Sequence, residues 1–312
     1  MKKIRYAVII LNYNTAEDCY LAVESIRKAA TCKEYRICIV DGGSTKEDEK
    51  SKLKKLEAED VEVLLLDNNV GYAKGNNEGI KYLSDKYDFQ YTVIMNPDVI
   101  IEEVGTIEGL IESLCRRGES VVGAQPLVAG MDTDIPADMQ VNIRKVFTYS
   151  DMLINSSWIL KRIFKNRYKG SLYLQERPYT KEILFEVPSG AFFVIKTDVF
   201  KQIGFFDEET FLYGEELILG YKLKQMGKKF VLVPKFKVLH YQGKSTQAHK
   251  GKTTKKTEDF AMNSKDIYFR KYLKVNTSMI KIYKLCYFLS RKSQKVEDGI
   301  IKILKFIRKN EV

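Results

Sequence analysis

Several acidic side chains stand where they could bind a metal or move a proton. Asp98 follows an apolar run, two residues after Asn96, and its carboxylate is the kind of oxygen ligand that a divalent cation bridging two phosphates needs. Glu215 and Glu216 are adjacent at the start of a helical pattern, where one of them could serve as general base for a hydroxyl nucleophile. A simple interaction with the helix dipole is the alternative for this pair. His240 also follows an apolar run, which fits metal or phosphate contact as well as a structural role.

Polar, turn-forming residues follow each of the first four apolar runs. These segments are Asn12–Thr15, Asp41–Ser44, Asp67–Asn77 and Asn96–Asp98. Each alone fits ordinary turn chemistry, but together they outline a cleft beyond the carboxyl ends of the strands. Asp41 could accept a hydrogen bond from a nucleobase imide, and Gly71 and Gly75 flank Lys74 before a helix, which suits phosphate contact. The sequence contains neither a Walker loop nor a dinucleotide fingerprint.

The elements that must position these residues alternate between strand and helix patterns over the first 125 residues. The predicted strands are Tyr6–Leu11, Tyr35–Val40, Val61–Leu66, Tyr91–Met95 and Ser120–Ala124. The predicted helices are Glu17–Ala30, Lys46–Glu59, Asn76–Lys86 and Gly105–Arg117. This repetition predicts an α/β fold with a mostly parallel sheet and helices on both faces.

The second half of the chain is less regular. Residues 129–181 have mixed periodicity, with a helix expected around Met152–Phe164. Strands are predicted within Ile183–Lys196, Lys229–Val233 and Lys237–Tyr241, and helices at Asp198–Ile203 and Glu215–Met226. We expect a catalytic domain over 1–245, with halves 1–125 and 126–245, and a helical extension over 246–312.

The positive charge lies in that extension. The chain has 52 Lys and Arg against 41 Asp and Glu, and residues 244–312 hold 18 of the former and 6 of the latter. Residues 279–289 are mostly apolar, and residues 299–309 form a basic amphipathic pattern, so the extension is expected to associate with an anionic membrane surface. Packing on the protein body or a homodimer is the alternative, and no nucleic-acid-binding motif is present.

Cysteine usage and the N-terminus bear on the compartment. The five cysteines are odd in number and contain no CxxC pair, which argues against a disulfide framework or a zinc ribbon. The apolar run at Tyr6–Leu11 is too short for a signal-peptide core, and no stretch reaches the ~18 apolar residues that span a bilayer. We therefore expect a cytoplasmic protein that associates peripherally with the inner face of the membrane.

The ordered set of motifs resembles the family 2 glycosyltransferases of the GT-A fold, in particular the rhamnosyltransferase-like branch of bacterial surface polysaccharide synthesis. The motifs extend over the region from Tyr6 to about Ser245. They are Asp41-Gly-Gly-Ser, Asn69-Val-Gly-Tyr-Ala-Lys-Gly-Asn-Asn, Met95-Asn-Pro-Asp-Val, Ser189-Gly-Ala, and Phe206-Asp followed by Tyr213-Gly-Glu-Glu.

The resemblance implies an inverting transfer of a sugar from a UDP- or dTDP-sugar to a hydroxyl of a glycan acceptor, expected to be polyprenyl-linked. It implies Glu216 as the catalytic base with Glu215 as second choice, and Asp98 and His240 as ligands of Mn²⁺ or Mg²⁺. The implied donor-binding residues are Asn12, Asn14, Asp41, Gly43, Asn69, Gly71, Lys74, Asn77 and Asn96. The implied acceptor-binding residues are Ser189, Gly190 and Tyr213.

Two departures from the family pattern fall near the proposed base. The pair is Glu-Glu where the family has Glu-Asp, and Ile218 stands where a second Asp is common, with Lys222 in place of Arg. Two other functions stay open at this point: a sugar nucleotidyltransferase on a similar sheet, and a non-catalytic partner of a polysaccharide assembly complex.

Overall fold

The computed structural model describes residues 2–131, 134–140, 143–167, 177–241 and 254–292. The chain divides into two compact units. Unit 1 comprises Met1–Val146 and Glu176–Ile267, and unit 2 comprises Phe147–Gln175 and Tyr268–Val312. The sequence predicts a boundary at residue 245 and does not predict the grouping of 147–175 with the C-terminal residues.

The first half of unit 1 is a run of parallel strands connected by helices. The strands are β1 (Lys2–Asn12), β2 (Tyr35–Asp41), β3 (Val61–Leu65) and β4 (Tyr87–Met95). The helices are α1 (Ala16–Ala29), α2 (Glu49–Lys54) and α3 (Gly71–Ser84). β1 lies between β2 and β4 and is parallel to both, with Asn12 beside Asp41. All of β2 is buried, as expected for a strand covered on both faces.

The second half completes a nine-stranded mixed sheet. Its strands are β5 (Val99–Ile101), β6 (Val121–Gly130), β7 (Ile183–Phe185), β8 (Phe192–Lys196) and β9 (Lys229–His240). Its helices are α4 (Thr106–Cys115), a short 3₁₀ turn (Ala137–Met139), α7 (Thr197–Gln202), α8 (Glu215–Gln225) and α9 (Lys255–Ile267). The order is β3-β2-β1-β4-β8-β6-β9-β5, with β7 beside β9, and β8 is antiparallel to β4 and β6. The predicted α/β fold class is confirmed.

Three of the differences between the observed elements of unit 1 and the sequence-based prediction have local physical reasons. α3 begins at Gly71, five residues before the predicted start, because Gly71 has a φ of +83° that closes the preceding turn. β9 is one strand where two were predicted, and it is irregular between its pairings with Gln125 and Leu127. β5 was not predicted, since three residues are too few to give a periodic signal.

Unit 2 is helical in its described part. It contains α5 (Tyr149–Ser156), α6 (Trp158–Ile163), a helical turn (Tyr268–Tyr272) and α10 over residues 277–292. Ser157 adopts an extended conformation and caps α6, which divides the single helix predicted at 152–164 into two. Tyr149, Phe269 and Tyr283 form its aromatic core, with ring centroids 5.6 and 4.8 Å apart.

Of the two segments expected to associate with a membrane, only one lies within the described residues. The segment 279–289 is part of α10, whereas 299–309 lies outside the described residues. In the described ranges, no helix combines the length and the apolar character that crossing a bilayer would require.

Candidate active site

The strand ends predicted to form a cleft do meet at one edge of the sheet. A cavity of about 170 Å³ lies there in unit 1. Its lining includes four predicted donor-binding residues, Asn12, Asn69, Gly71 and Asn96. It also includes Leu11, Tyr13, Gly42, Tyr72, Pro97, Phe211 and Leu212, which the prediction of site residues omitted.

The loop after β1 is tied to the loop after β2 by a buried polar network. Nδ2 of Asn12 donates to Oδ1 of Asp41 at 3.0 Å, and the backbone N–H of Ser44 donates to Oδ2 at 3.1 Å. Asn14, with a φ of +62°, accepts at Oδ1 from the backbone of Thr45 at 2.8 Å. These hydrogen bonds therefore hold the two loops together beside the cavity.

Asp41 has a structural role in this network. Its side chain is completely buried, and the hydroxyl of Ser44 donates to Oδ1 in addition to the amide of Asn12. A nucleobase imide needs an accessible acceptor, so this geometry gives no support to the predicted base contact of Asp41. The adjacent Gly42 lines the cavity instead, and its backbone N–H donates to the carbonyl of Asn12 at 2.8 Å.

Two glycines of the predicted donor site are required by close backbone contacts. Gly43 has a φ of +70°, and a Cβ there would lie 2.6 Å from the carbonyl carbon of Asn68. Gly71 has a φ of +83°, and a Cβ there would overlap the carbonyl oxygen of Phe211. Any other residue at either position would be strained, because residues with a side chain disfavour a positive φ and because the space that a Cβ needs is already occupied.

Asn77, another predicted donor-binding residue, makes side-chain contacts within the protein. Its Nδ2 donates to the carbonyl of Phe206 and to Oε1 of Glu208, both at 3.0 Å, and its Oδ1 accepts from the backbone of Phe206 at 3.2 Å. The amide of this buried residue is committed to holding the 206–208 segment on α3. Lys74, by contrast, is exposed on the same helix.

Asp98 and His240 are brought together by the pairing of β5 with β9. The register places Val99 opposite His240, and Nε2 of His240 lies 3.3 Å from Oδ1 of Asp98. This contact lacks the alignment of a hydrogen bond, and the buried Oδ1 has no hydrogen-bond donor among the described residues. An uncommitted carboxylate oxygen facing an imidazole nitrogen is a donor set that fits Mn²⁺ or Mg²⁺.

The pair stands without further protein ligands in the described chain. Across those residues, no group of three or more His, Cys, Asp and Glu side chains could hold a metal ion. Phosphate oxygens of a donor would complete the coordination of a cation at this position. Asp98 lines a second cavity, of about 660 Å³, together with Pro97 and Tyr241.

The two candidate bases differ sharply in environment. Glu216 is partly exposed, and its carboxylate packs so closely on Gly190 that a Cβ at that position would overlap Oε1. Glu215 is buried, its Oε1 has no hydrogen-bond partner in the described structure, and burial followed by the charge of Glu216 raises its pKa to about 8. A base must be reachable by the acceptor hydroxyl, which favours the partly exposed Glu216 over the buried Glu215.

The loop before β8 carries the groups around Glu216. The hydroxyl of Tyr72 donates to the carbonyl of Gly190 at 2.7 Å, and the backbone N–H of Ser189 donates to the buried Gln125 at 2.6 Å. Burial and the carboxylates of Glu216 and Glu215 raise the pKa of Tyr72 well above its usual range, so this hydroxyl keeps its proton. The backbone N–H of Asn96 donates to the carbonyl of Ala191 at 2.8 Å, which joins the loop to the Asn96–Asp98 turn.

α8 begins at a left-handed turn that presents the acidic pair. Tyr213 has a φ of +69° and Gly214 a φ of +93°, and Tyr213 is exposed. α9 packs against the loop that precedes α8. Phe260 stacks on Phe211 with ring centroids 4.3 Å apart, and the hydroxyl of Ser264 donates to the carbonyl of Leu212 at 3.2 Å. Residues 255–267, predicted within the membrane-associating extension, thus support the site in unit 1.

Sequence reasoning missed Tyr72 and Gln125. Tyr72 lies inside the Asn69–Asn77 motif, so its place between two glycines of the cleft was an available signal. Gln125 is in the middle of a buried strand and becomes recognisable only through its bond to Ser189.

Solved structures with this architecture are GT-A glycosyltransferases. GalNAc-T7 with UDP, GalNAc and Mn²⁺ matches with a TM-score of 0.56 and 17% identity, covering 91% of this chain and 55% of that chain. The mannosyltransferase PcManGT from Pyrobaculum calidifontis, in complex with GDP-Man and Mn²⁺, matches with a TM-score of 0.53 and 11% identity, covering 97% and 81%. The fold is therefore of the GT-A type.

The chain belongs to glycosyl transferase family 2, whose family model matches residues 7–204. It is 26% identical over 228 residues to an N-acetylglucosaminyl-diphospho-decaprenol L-rhamnosyltransferase of Mycobacterium tuberculosis, covering 70% of each chain. It is 23% identical over 175 residues to rhamnosyltransferase WbbL of Escherichia coli, covering 55% of this chain and 61% of that protein. The predicted family and enzyme class are confirmed: the chain is a glycosyltransferase with likeness to rhamnosyltransferases.

Proposed function

We propose that this enzyme transfers a sugar, with inversion and with the help of a divalent cation, from a UDP- or dTDP-sugar to a hydroxyl of a lipid-linked glycan in cell-surface polysaccharide synthesis. The observation that carries the proposal is the position of Glu216. Its accessible carboxylate packs against Gly190, in a loop bonded to the Asn96–Asp98 turn, so a base and a metal-binding carboxylate lie at the same sheet edge.

The acceptor class is supported by the relatives. The Mycobacterium tuberculosis protein is named for transfer of L-rhamnose to an N-acetylglucosaminyl-diphospho-decaprenol, which is a sugar carried on a polyprenyl diphosphate. An acceptor of that chemistry offers a sugar hydroxyl as the nucleophile. Ser189, Gly190 and Tyr213 are the proposed acceptor contacts beside the base.

The donor is proposed to lie along the strand-end cavity. Gly42 and Gly71 line it with backbone alone, Tyr13 and Tyr72 offer aromatic surface, and Lys74 on α3 supplies an exposed positive charge for phosphate. Asn69 shapes this wall by accepting the backbone N–H of Gly71 at 3.0 Å. A diphosphate reaching from the cavity to Asp98 would complete the cation site that Asp98 and His240 begin.

The chemical step follows from the ionisation of the acidic pair. The carboxylate of Glu216 accepts the proton of the acceptor hydroxyl, the oxygen forms a bond to the anomeric carbon, and the bond from that carbon to the diphosphate oxygen breaks. Glu215 keeps its proton near neutral pH, because its burial and then the charge of Glu216 raise its pKa to about 8. Asp98 and His240 would hold a divalent cation, which when bound would stabilise the charge of the departing nucleoside diphosphate.

A transfer assay tests the proposal. Purified enzyme is incubated with Mn²⁺, with UDP- or dTDP-linked sugars and with a polyprenyl-diphosphate-linked N-acetylglucosamine, and the glycolipid product is analysed by mass spectrometry and NMR. We expect transfer from one donor class with inverted anomeric configuration. Product that forms equally after chelation, or with retained configuration, would contradict the proposal.

Two variants then assign the roles. We expect Glu216→Gln to lower kcat by about 10²–10⁴-fold, the usual contribution of a general base. Asp98→Ala should abolish the stimulation by Mn²⁺, whereas Asp88→Ala, at an exposed aspartate on β4, should leave it intact. Full activity of Glu216→Gln would show that another residue is the general base.

A further inference from the structure

α10 of unit 2 exposes an apolar stripe on one side. Its inner side is buried at Ile280, Tyr283 and Ser290. The outer side carries four large apolar side chains that are 50–57% exposed, Ile282, Leu285, Phe288 and Leu289. Because these positions recur at three- and four-residue steps, they share the helix face opposite the core.

A second group of exposed apolar side chains belongs to the same unit. Ile159, Ile163 and Phe164, in and directly after α6, are 45–66% exposed. The backbone N–H of Trp158 donates to the hydroxyl of Ser290 at 3.2 Å, so the start of α6 is fixed to α10. Seven exposed apolar side chains on two joined helices exceed the scattered single residues that are normal on a protein surface.

The charge of the described part of unit 2 is almost entirely of one sign. Its described residues, 147–167 and 268–292, contain 11 Lys and Arg and a single acidic residue. That residue, Asp151, is buried, caps α5 through Thr148 and bonds Arg167 at 3.2 Å. On α10, Lys281 and Lys292 are exposed on the outer side, and Nζ of Lys292 lies 4.7 Å from the centre of the Phe288 ring.

We propose that unit 2 binds the surface of an anionic phospholipid bilayer through the outer side of α10, which carries Lys281, Ile282, Leu285, Phe288, Leu289 and Lys292 and is named here the α10 face. Ile282, Leu285 and Leu289 would enter the interface between headgroups and acyl chains, while the lysines contact lipid phosphates. A second copy of the chain is a poor occupant, since two faces of the same strong positive charge repel each other. The proposal does not depend on the identity of the donor or acceptor.

Vesicle flotation of the full chain tests this surface. We expect binding to phosphatidylcholine vesicles that contain phosphatidylglycerol, loss of binding in vesicles of phosphatidylcholine alone, and weaker binding at high salt. Leu285→Glu/Leu289→Glu should weaken binding by at least about tenfold, since it removes the apolar stripe and adds negative charge. Val104→Glu/Leu184→Glu, at two exposed apolar positions of unit 1, is the matched control and should bind like wild type.

Charge reversal separates the electrostatic part. Lys281→Glu/Lys292→Glu should weaken binding by at least about tenfold, because each lysine near an anionic surface contributes about 1 kcal/mol. Lys50→Glu/Lys55→Glu makes the same change of net charge on exposed lysines of unit 1 and should bind like wild type. Thermal unfolding of every variant verifies that each one is folded.

Three results would overturn the proposal. One is that folded wild type floats with neither type of vesicle. Another is that the paired variants of unit 1 and unit 2 weaken binding equally, since the effect would then follow net charge alone. The third is a concentration-dependent dimer, seen by light scattering, that Leu285→Glu/Leu289→Glu dissociates, because the α10 face would then be an interface between copies.

Discussion

The position of the Glu216 carboxylate depends on the absence of a side chain at Gly190. The carboxylate of Glu216 occupies the space that a Cβ at position 190 would need. Because the clash is with the flexible end of a side chain, the protein can relieve it by moving Glu216. The result would be a folded enzyme with a displaced base.

Gly190→Ala is therefore expected to lower kcat by about 10–100-fold while changing stability by less than about 1 kcal/mol, since misplacement of a catalytic group by about 1 Å is costly to rate. Steady-state kinetics and urea unfolding measure the two effects. Gly118→Ala is the matched control, because a Cβ at Gly118 meets nothing within 4 Å. Equal kcat values for Gly190→Ala and Gly118→Ala would contradict the role of Glu216 as catalytic base.

Glu215 makes the stability of the fold depend on pH. Its pKa is raised from 4.5 to about 8 in the folded protein, chiefly by burial. Its favourable contribution is fully present below pH 4.5 and is lost as the pH rises towards about 8, because folding then has to bury a charge.

We expect Glu215→Gln to stabilise the protein relative to wild type by an amount that grows between pH 5 and pH 9, reaching on the order of a few kcal/mol. Thermal unfolding across this pH range measures it. Glu47→Gln, at an exposed position, should show no such growth. A difference between Glu215→Gln and wild type that does not change with pH would contradict the raised pKa.

Among the elements, α3 does more than flank the sheet. Its first turn supplies the Gly71 wall of the cavity, and its middle holds the 206–208 segment through Asn77. The loop after the 206–208 segment carries Phe211 and leads into α8, which begins with Glu215 and Glu216. α3 therefore connects the donor side of the site to the base.

Asn77→Ala is expected to destabilise the protein by about 1–3 kcal/mol, because the buried backbone N–H and C=O of Phe206 lose their partner. Urea unfolding measures the loss, with Gln90→Ala at an exposed amide as control. Binding of the donor nucleotide should change little. A large loss of nucleotide affinity with unchanged stability would instead restore the donor-contact role predicted from sequence.

At the scale of the whole molecule, burial divides the five free thiols into distinct classes. Cys115 is exposed, Cys32 and Cys286 are partly buried, and Cys19 and Cys38 are buried. Burial raises the pKa of both buried thiols well above the usual range, which lowers their thiolate fraction as well as their accessibility.

Titration with Ellman's reagent should find one fast thiol, absent in Cys115→Ser, and slower reaction at Cys32 and Cys286. Cys19 and Cys38 should react only after unfolding in urea. Rapid reaction of all five in native buffer would show that the sheet core is open. A change in melting temperature on adding a reductant would contradict the free state of the thiols.

Local sequence patterns are enough to predict much of the first half of the fold. Apolar runs bounded by Asn, Asp and Gly predicted β1 to β4 to within a few residues, because strand periodicity and turn chemistry act over short segments. The same patterns also placed Asn12, Asn69, Gly71 and Asn96 at one sheet edge, since parallel strands end together.

Which of these residues remain available for chemistry depends on contacts between distant parts of the chain. Asp41 and Asn77 are consumed by buried hydrogen bonds, whereas Asp98 meets His240 through the antiparallel pairing of β5 with β9. The grouping of 147–167 with α10 likewise joins segments that are far apart in the chain. Strand register and helix packing are set by contacts between such distant segments, which leave no local periodicity for the sequence to display.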